Sequence, residues 1–252
     1  MVQQGTVLQG GGLQHDRKFA ICDEQGRFVN GKRYPSVHQL RAAFDPSFEN
    51  VSLQIQGKTQ AQTFHLNDDR LNLEAWLSQY FGFKVKLLQN SSTGFPDDTD
   101  ASGPTIISTA TLTEVATWFP QLSLDEMRLR FRATLEIEAV PPFWEDQLFA
   151  EADSNVQFRV GAVSFEGVNP CQRCIVPTRD PLTGEVYPNF TQTFIEKRKE
   201  TLPSWVPVSQ FNHFYRLSVN TRLLQSEPNR KIYVGDNVTI LDADQTDLDL
   251  EQ

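Results

Sequence analysis

Two cysteines three residues apart, with an arginine between them, form the most chemically pointed stretch of the chain. It runs Asn169-Pro170-Cys171-Gln172-Arg173-Cys174 and is followed by Thr178-Arg179-Asp180-Pro181-Leu182-Thr183-Gly184-Glu185. A thiolate is the best side-chain ligand for a soft metal, and a guanidinium fork is the best side-chain partner for a phosphate. A loop that needs both suits a metal carried on a phosphorylated organic cofactor. Bare Cys-x-x-Cys supports other chemistry as well. A structural zinc needs about four ligands, but the remaining cysteine is Cys22, and His15, His38, His65 and His213 show no paired spacing. A thioredoxin-like redox pair belongs at the strand-to-helix turn of a βαβ unit, whereas here a β-turn signal follows. Two packed thiols leave Arg173 without a purpose. A single thiolate ligand beside an anion-binding arginine accounts for the stretch best.

Other candidates are weaker taken one at a time. Arg17 lies in Gly12-Leu13-Gln14-His15-Asp16-Arg17 and Arg33 in Asn30-Gly31-Lys32-Arg33-Tyr34-Pro35. A lone arginine is ordinarily a surface residue. Arg132 is more suggestive, because the alternation around it lets it face a pocket. Pro141-Pro142-Phe143-Trp144-Glu145-Asp146 joins a rigid turn to two rings and two carboxylates. Carboxylates near a metal can move protons, but a solvated turn over buried rings explains the same residues and is the favoured reading. Gly235-Asp236 before Val238-Thr239-Ile240 is a turn and strand-entry signal and says nothing about chemistry.

The elements that must position these residues are mostly short strands. Arg17-Lys18-Phe19-Ala20-Ile21-Cys22, an Asp23-Glu24-Gln25-Gly26 turn and Arg27-Phe28-Val29 spell a hairpin. Residues 51–55 and 63–66 alternate as half-buried strands do. Residues 71–81 form a helix that Gly82 can cap. Residues 90–103 have linker composition, and 105–108 look like a strand. Thr111 with Glu114 and Ser123 with Glu126 have capping-box spacing, so two short helices broken at Pro120 follow. Residues 131–138 alternate strictly and predict a strand, as do 156–163, 214–219 and 232–241. Residues 190–200 predict a helix with a basic last turn. Strands dominate and helices are inserted late, which predicts a mostly β, α+β architecture built on barrels or sandwiches.

Bulk properties bound the rest. A chain of 252 residues, 39% hydrophobic and 22% charged, suits one large or two modest soluble domains. Its net charge of -9 argues against a nucleic-acid partner. Much of the acidity sits after Leu241, where a solvated, disordered tail is expected over 242–252. No run approaches the roughly 18 apolar residues of a membrane span, and no secretory signal opens the chain. A cytoplasmic protein with reduced thiols and no membrane partner is expected.

Assembled in order, these pieces resemble the MOSC superfamily. The closer likeness is to the two-part group that pairs an N-terminal MOSC β-barrel with a MOSC domain and includes the mitochondrial amidoxime-reducing component. The matching residues are Gly12-Leu13 with Asp16-Arg17, Arg33-x-Pro35, Phe131-Arg132-Ala133-Thr134, Pro142-Phe143 with Glu145-Asp146, Cys171-Gln172-Arg173-Cys174, Asp180-Pro181-x-Thr183-Gly184 and Gly235-Asp236-x-Val238. The resemblance implies a barrel-like domain over 1–90, a linker over 91–103 and a MOSC barrel over 104–241, with a cofactor cleft between the two domains. It also implies a molybdenum cofactor, molybdenum on a phosphorylated pterin dithiolene, and the same family is associated with pyridoxal phosphate.

By position in the family motif, Cys174 is the molybdenum ligand and catalytic centre, Gln172 and Arg173 line the cofactor, and Cys171 supports them. Arg17, Arg33, Ser102, Arg132 and Thr134 are the other positions assigned to cofactor binding. Thr134 stands where the family often has asparagine, and the loop around Ser102 is only loosely similar. Family members usually open with a strand bearing a Lys-Ser pair. The start Met1-Val2-Gln3-Gln4-Gly5 has none, so the first barrel is expected to lack that strand and to hold the phosphate more weakly. The implied activity is reduction of N-hydroxylated or N-oxide small molecules. Electrons would come from an external cytochrome b5-like or ferredoxin-like donor protein, since no flavin, haem or iron–sulfur motif is visible. A non-catalytic carrier of the cofactor or of sulfur is the alternative, and a structural remnant without a working site is a third.

Overall fold

The computed structural model describes residues 4–7, 12–151, 154–224 and 230–241; the acidic tail expected over 242–252 lies outside them. Among the described residues the elements are, in chain order, β1 (Gln4–Thr6), β2 (Phe19–Asp23), β3 (Leu40–Phe44), β4 (Asn50–Ile55), β5 (Ala61–His65), α1 (Arg70–Phe81), β6 (Val85–Gln89), β7 (Ile106–Ser108), α2 (Thr109–Thr117), α3 (Leu124–Phe131), β8 (Leu135–Ile137), β9 (Val156–Val160), β10 (Val163–Gln172), α4 (Phe190–Glu200), β11 (Arg216–Leu223), β12 (Lys231–Tyr233) and β13 (Val238–Ile240). The chain is mostly β with a few helices, as expected. It divides into two compact units. The smaller holds residues 17–95 and 174–188; the larger holds 1–16, 96–173 and 189–252.

In the smaller unit β3, β4 and β5 form an antiparallel meander, and β2 pairs antiparallel with β6. Strand β4 shows the physical reason. Val51 and Leu53 are buried, whereas the Ser52 hydroxyl, on the opposite face, lies 2.6 Å from that of Thr63 across the ladder. Helix α1 sets Leu73 and Leu77, one turn apart, onto Val51, Leu53, Phe64 and Val85. Gly82 ends it at φ 77°, its N–H reaching the Ser78 carbonyl at 2.9 Å. Strands β3 and β6 were not expected. Leu40-Arg41-Ala42-Ala43-Phe44 has little strand propensity of its own, and pairing along β4 decides its conformation.

In the larger unit a six-stranded sheet runs β13-β9-β10-β11-β7-β8, and β1 pairs with β12. The β7–β8 pair is parallel and the other pairs are antiparallel. The sheet core gathers Ile106, Leu148, Phe158, Phe165 and Val219. The helices bring together Trp118, Phe119, Phe131, Phe190 and Phe194, with Phe119 and Phe190 stacked at 4.3 Å.

Two local expectations are corrected. Thr111 does not cap α2: Ser108 does, its hydroxyl accepting from the Thr111 N–H at 3.0 Å, while the Thr111 hydroxyl accepts from the Phe143 N–H. Residues 131–138 are not one strand. The capping box of Ser123 and Glu126 starts α3, which runs to Phe131. Met127 and Phe131, four apart, are buried on its inner face, and the helical period overrides the short alternation that follows. Only Leu135–Ile137 remain extended. The segment leading into the cysteines, for which the sequence predicted no element, is the end of the ten-residue β10. Gly167, Asn169 and Pro170 are residues that strands avoid. Register irregularities between Gly167 and Asn169 and between Pro170 and Gln172 accommodate them. At Gly167 a Cβ would lie 1.5 Å from the Leu148 carbonyl oxygen, so glycine alone lets the Trp144–Leu148 turn approach the strand.

Candidate functional site

The cysteine-bearing end of β10 is shaped by its partner strand. Between the pairs Val219↔Pro170 and Arg216↔Gln172, β11 places Leu217 and Ser218 opposite Cys171 alone. This is a β-bulge. Ser218 takes φ 64° although it is not glycine, and it is buried; the left-handed conformation costs about 1–2 kcal/mol. The bulge turns the Ser218 hydroxyl toward Arg173. Arg173 Nη1 lies 3.4 Å from that hydroxyl and 3.3 Å from Cys171 Sγ, and Nη2 donates to the Phe131 carbonyl at 2.6 Å. The guanidinium carbon also sits 5.3 Å from the Phe131 ring centre.

These contacts close a circuit through three of the residues singled out from sequence. Arg173 grips the last residue of α3. The next residue, Arg132, caps that helix at φ 52° with its side chain exposed. It does not sit inside a strand, as its surroundings predicted, because α3 ends on it. The chain then reaches Thr134, whose N–H donates to the Thr105 carbonyl and hydroxyl at 3.0 and 3.1 Å. Thr105 precedes Ile106, which pairs with Val219, the neighbour of Ser218. Half-buried Ser102 is adjacent to Gly103, whose N–H donates to the Thr221 carbonyl at 2.8 Å. Arg132, Thr134 and Arg173 therefore belong to one short loop of contacts, with Gln172 exposed at the strand end and Ser102 beside it.

Two residues that sequence reasoning passed over join this region. Arg216 Nη1 donates to the Pro170 carbonyl at 2.8 Å and Nη2 to Asn212 Oδ1 at 2.8 Å. Burial lowers the Arg216 pKa, and the adjacent Cys171 sulfur acts the other way. His213 Nδ1 accepts from the Tyr215 N–H at 3.2 Å, which leaves the neutral ring's proton on Nε2. Burial, and then the Arg216 charge, hold its pKa below the usual value. Neither residue carries a spacing signal; the pairing of β10 with β11 brings Arg216 to Cys171, and His213 lies beside Arg216.

Cys174 opens the segment 174–188 of the smaller unit. It is exposed, and its Sγ accepts from the Val176 N–H at 3.5 Å. Arg17 lies in the same unit at φ 49°, its carbonyl accepting from Phe95 N–H at 2.9 Å. Arg33 is exposed there and its guanidinium lies 5.8 Å from the Tyr34 ring centre.

The carboxylates of Glu145 and Asp146 are not on a solvated turn: both are at most 2% exposed. Asp146 pairs with Arg198, which is itself fully buried and lies 4.4 and 5.2 Å from the Phe143 and Phe211 ring centres. Burial raises the Asp146 pKa in spite of Arg198. Burial and then the Asp146 charge raise that of Glu145. The nearest donors to Glu145 are the Thr111 hydroxyl and the amides of Ser108 and Glu145 itself, yet neither of its oxygens has a hydrogen bond of normal geometry.

Among the described residues no three His, Cys, Asp or Glu side chains gather to hold a bare metal ion. The chain offers instead one exposed thiol, Cys174, in the smaller unit, and in the larger the guanidinium groups of Arg132, Arg173 and Arg216. A lone thiol suits a metal that arrives with ligands of its own, and guanidinium groups suit an anion. No helix among the described residues is long and apolar enough to cross a membrane.

Comparison with known proteins identifies the family. The family profile of the MOSC N-terminal beta barrel domain matches residues 1–122, and that of the MOSC domain matches residues 100–239. Among curated proteins, the molybdenum cofactor sulfurase of Drosophila mojavensis is 27% identical over 207 residues, covering 72% of this chain and 26% of that protein. The same protein of Drosophila persimilis is 28% identical over 218 residues, covering 74% and 26%. That of Caenorhabditis briggsae is 23% identical over 225 residues, covering 79% and 30%. The chain thus spans about a quarter of the length of the first relatives it matches. By profile, order of motifs and β architecture, this chain belongs to the MOSC domain family.

Proposed function

We propose that this protein binds the molybdenum cofactor through Cys174 and reduces N-hydroxylated or N-oxide compounds with electrons from an external donor protein, in the cytoplasm. The observation that carries the reading is the Arg173 circuit. A buried serine is held in a left-handed conformation so that an arginine is fixed beside the cysteine motif, and such strain is retained where a site needs it. In this reading Cys174 supplies the thiolate to the metal. Arg132 and Arg173 take the anionic end of the pterin, with Gln172, Thr134 and Ser102 as its polar lining. Arg17 and Arg33 are also assigned to cofactor binding. When bound, the cofactor would supply a metal that cycles by two electrons and accepts an oxygen atom. The residues' part is to bind and orient: guanidinium groups hold a phosphate in a fixed plane, and an exposed thiol leaves the metal open to small molecules.

A second reading is a carrier that holds the cofactor, or its sulfur, without turnover. The curated relatives are named molybdenum cofactor sulfurases and match this chain over only part of their length, which favours it. Molybdenum content by elemental mass spectrometry, on protein from a cofactor-producing host, tests the common core. Near-stoichiometric metal in the wild type that is lost in Cys174→Ala supports it, and no metal in the wild type overturns it. Turnover of an amidoxime with an artificial electron donor then separates reductase from carrier.

A further inference from the structure

The segment that begins at Cys174 is internally stiff. Arg179 bridges Val186, Asp180 Oδ1 accepts from the Leu182 and Thr183 amides at 2.8 and 2.7 Å, and Gly184 N–H reaches the Asp180 carbonyl at 2.9 Å. Tyr187 N–H donates to the Thr178 carbonyl at 2.7 Å. Toward the cysteine, the Thr178 hydroxyl donates to the Ile175 carbonyl at 2.7 Å, and Val176 N–H reaches Cys174 Sγ. A body built this way moves as one piece, so whatever holds its tip also sets where the Cys174 thiol points.

The tip is held from the stretch 35–41, some 140 residues earlier in the chain. Arg41 Nη2 donates to the Pro181 carbonyl at 3.0 Å and approaches that of Leu182 at 3.3 Å. The guanidinium is itself aimed by the His38 carbonyl and by Gln56, whose Oε1 accepts from Nε at 3.1 Å. Gln39 Nε2 donates to the Thr183 carbonyl at 3.0 Å. Gly184, at φ 80°, lies so close to Pro35 that a Cβ there would meet the Pro35 carbonyl oxygen at 2.7 Å. Each residue from 181 to 184 is therefore engaged. One planar guanidinium serves both loop carbonyls and its own anchors, which a single flexible ammonium cannot do.

We infer that Arg41, assisted by Gln39, is a positioning residue for the Cys174 thiol. This rests on the proposed role of Cys174 as metal ligand. Arg41 contacts neither the thiol nor its sequence neighbours and acts through the latched loop. The test compares wild type, Arg41→Ala and Arg41→Lys by peptide-resolved hydrogen exchange, by the rate of Cys174 alkylation with iodoacetamide, and by molybdenum retained after gel filtration. In Arg41→Ala, exchange in 180–187 is expected to rise about tenfold, as the loss of its two hydrogen bonds to the loop allows. The peptides of β4 and β5 should be unchanged, the alkylation rate should shift several-fold, and metal retention should fall. Arg41→Lys should lie between. Unchanged loop exchange overturns the inference, and so does an equal rise across β4 and β5, which would make Arg41 an ordinary framework residue. If the wild type holds no molybdenum, the cofactor reading falls, while loop exchange and alkylation still decide the role of Arg41.

Discussion

Replacing Asp146 with asparagine removes the charge from one half of an ion pair that has no access to water. Arg198 is 0% exposed and Asp146 2%. After the change the Arg198 charge keeps a 3.4 Å contact from Nε to the Arg216 carbonyl and the two aromatic faces, while Nη1 already has no hydrogen-bond partner. Leaving one member of a buried pair alone costs about 3–5 kcal/mol. That is a large fraction of the roughly 5–15 kcal/mol that stabilises a domain. For a unit of this size it corresponds to a fall in Tm of about 6–20 °C.

The pair itself is not expected to be a large net stabiliser. Taking both charges out of water offsets much of their attraction, and burial raises the Asp146 pKa in spite of Arg198. The double variant Asp146→Leu, Arg198→Met should therefore recover most of the loss, ending within about 1 kcal/mol of wild type or above it. Differential scanning calorimetry on wild type, Asp146→Asn, and the cycle of Asp146→Leu, Arg198→Met and their double variant checks the argument. A single-variant loss under about 1 kcal/mol, or a double variant as unstable as the sum of the singles, would show that this pair is not governed by desolvation.

Ser218 and Glu145 carry the remaining predictions. Ser218→Ala keeps the left-handed strain and loses the hydroxyl near Arg173, so it should cost about 1 kcal/mol; Ser218→Gly relieves the strain and should equal or exceed wild type. A thermal melt in which alanine is the more stable of the two would contradict this. Glu145 has a folded pKa raised above 4.5, so the stability it contributes is full below that unfolded value and is lost as pH rises through the folded one. Glu145→Gln should therefore gain on wild type progressively from about pH 4 upward, measured by urea denaturation across pH; a gap that narrows with rising pH would reverse the sign.

What the sequence by itself determined was local or motif-borne. The period of Leu73 and Leu77, the αL glycine at 82, the capping box at Ser123 and the alternation of β4 are encoded within a few residues, and each formed where its own chemistry predicted. Membership of the MOSC family was legible in the Cys-Gln-Arg-Cys stretch and its Asp-Pro-x-Thr-Gly turn, because those residue types at that spacing have few other uses. Tertiary structure decided what depends on partners distant in sequence. Pairing with β4 made a strand of the alanine-containing β3, and pairing with β11 carried β10 through Gly167 and Pro170 to the cysteines. The bulge at Ser218 aimed Arg173, and the helical period ending at Phe131 moved Arg132 from strand to cap. Burial likewise turned Glu145 and Asp146 from a presumed solvated turn into an enclosed charge cluster, since only the packed fold determines whether water reaches a carboxylate. The latch of Arg41 on the Cys174 loop has the same origin: it joins main-chain carbonyls to a guanidinium across some 140 residues, and backbone acceptors leave no mark in side-chain spacing.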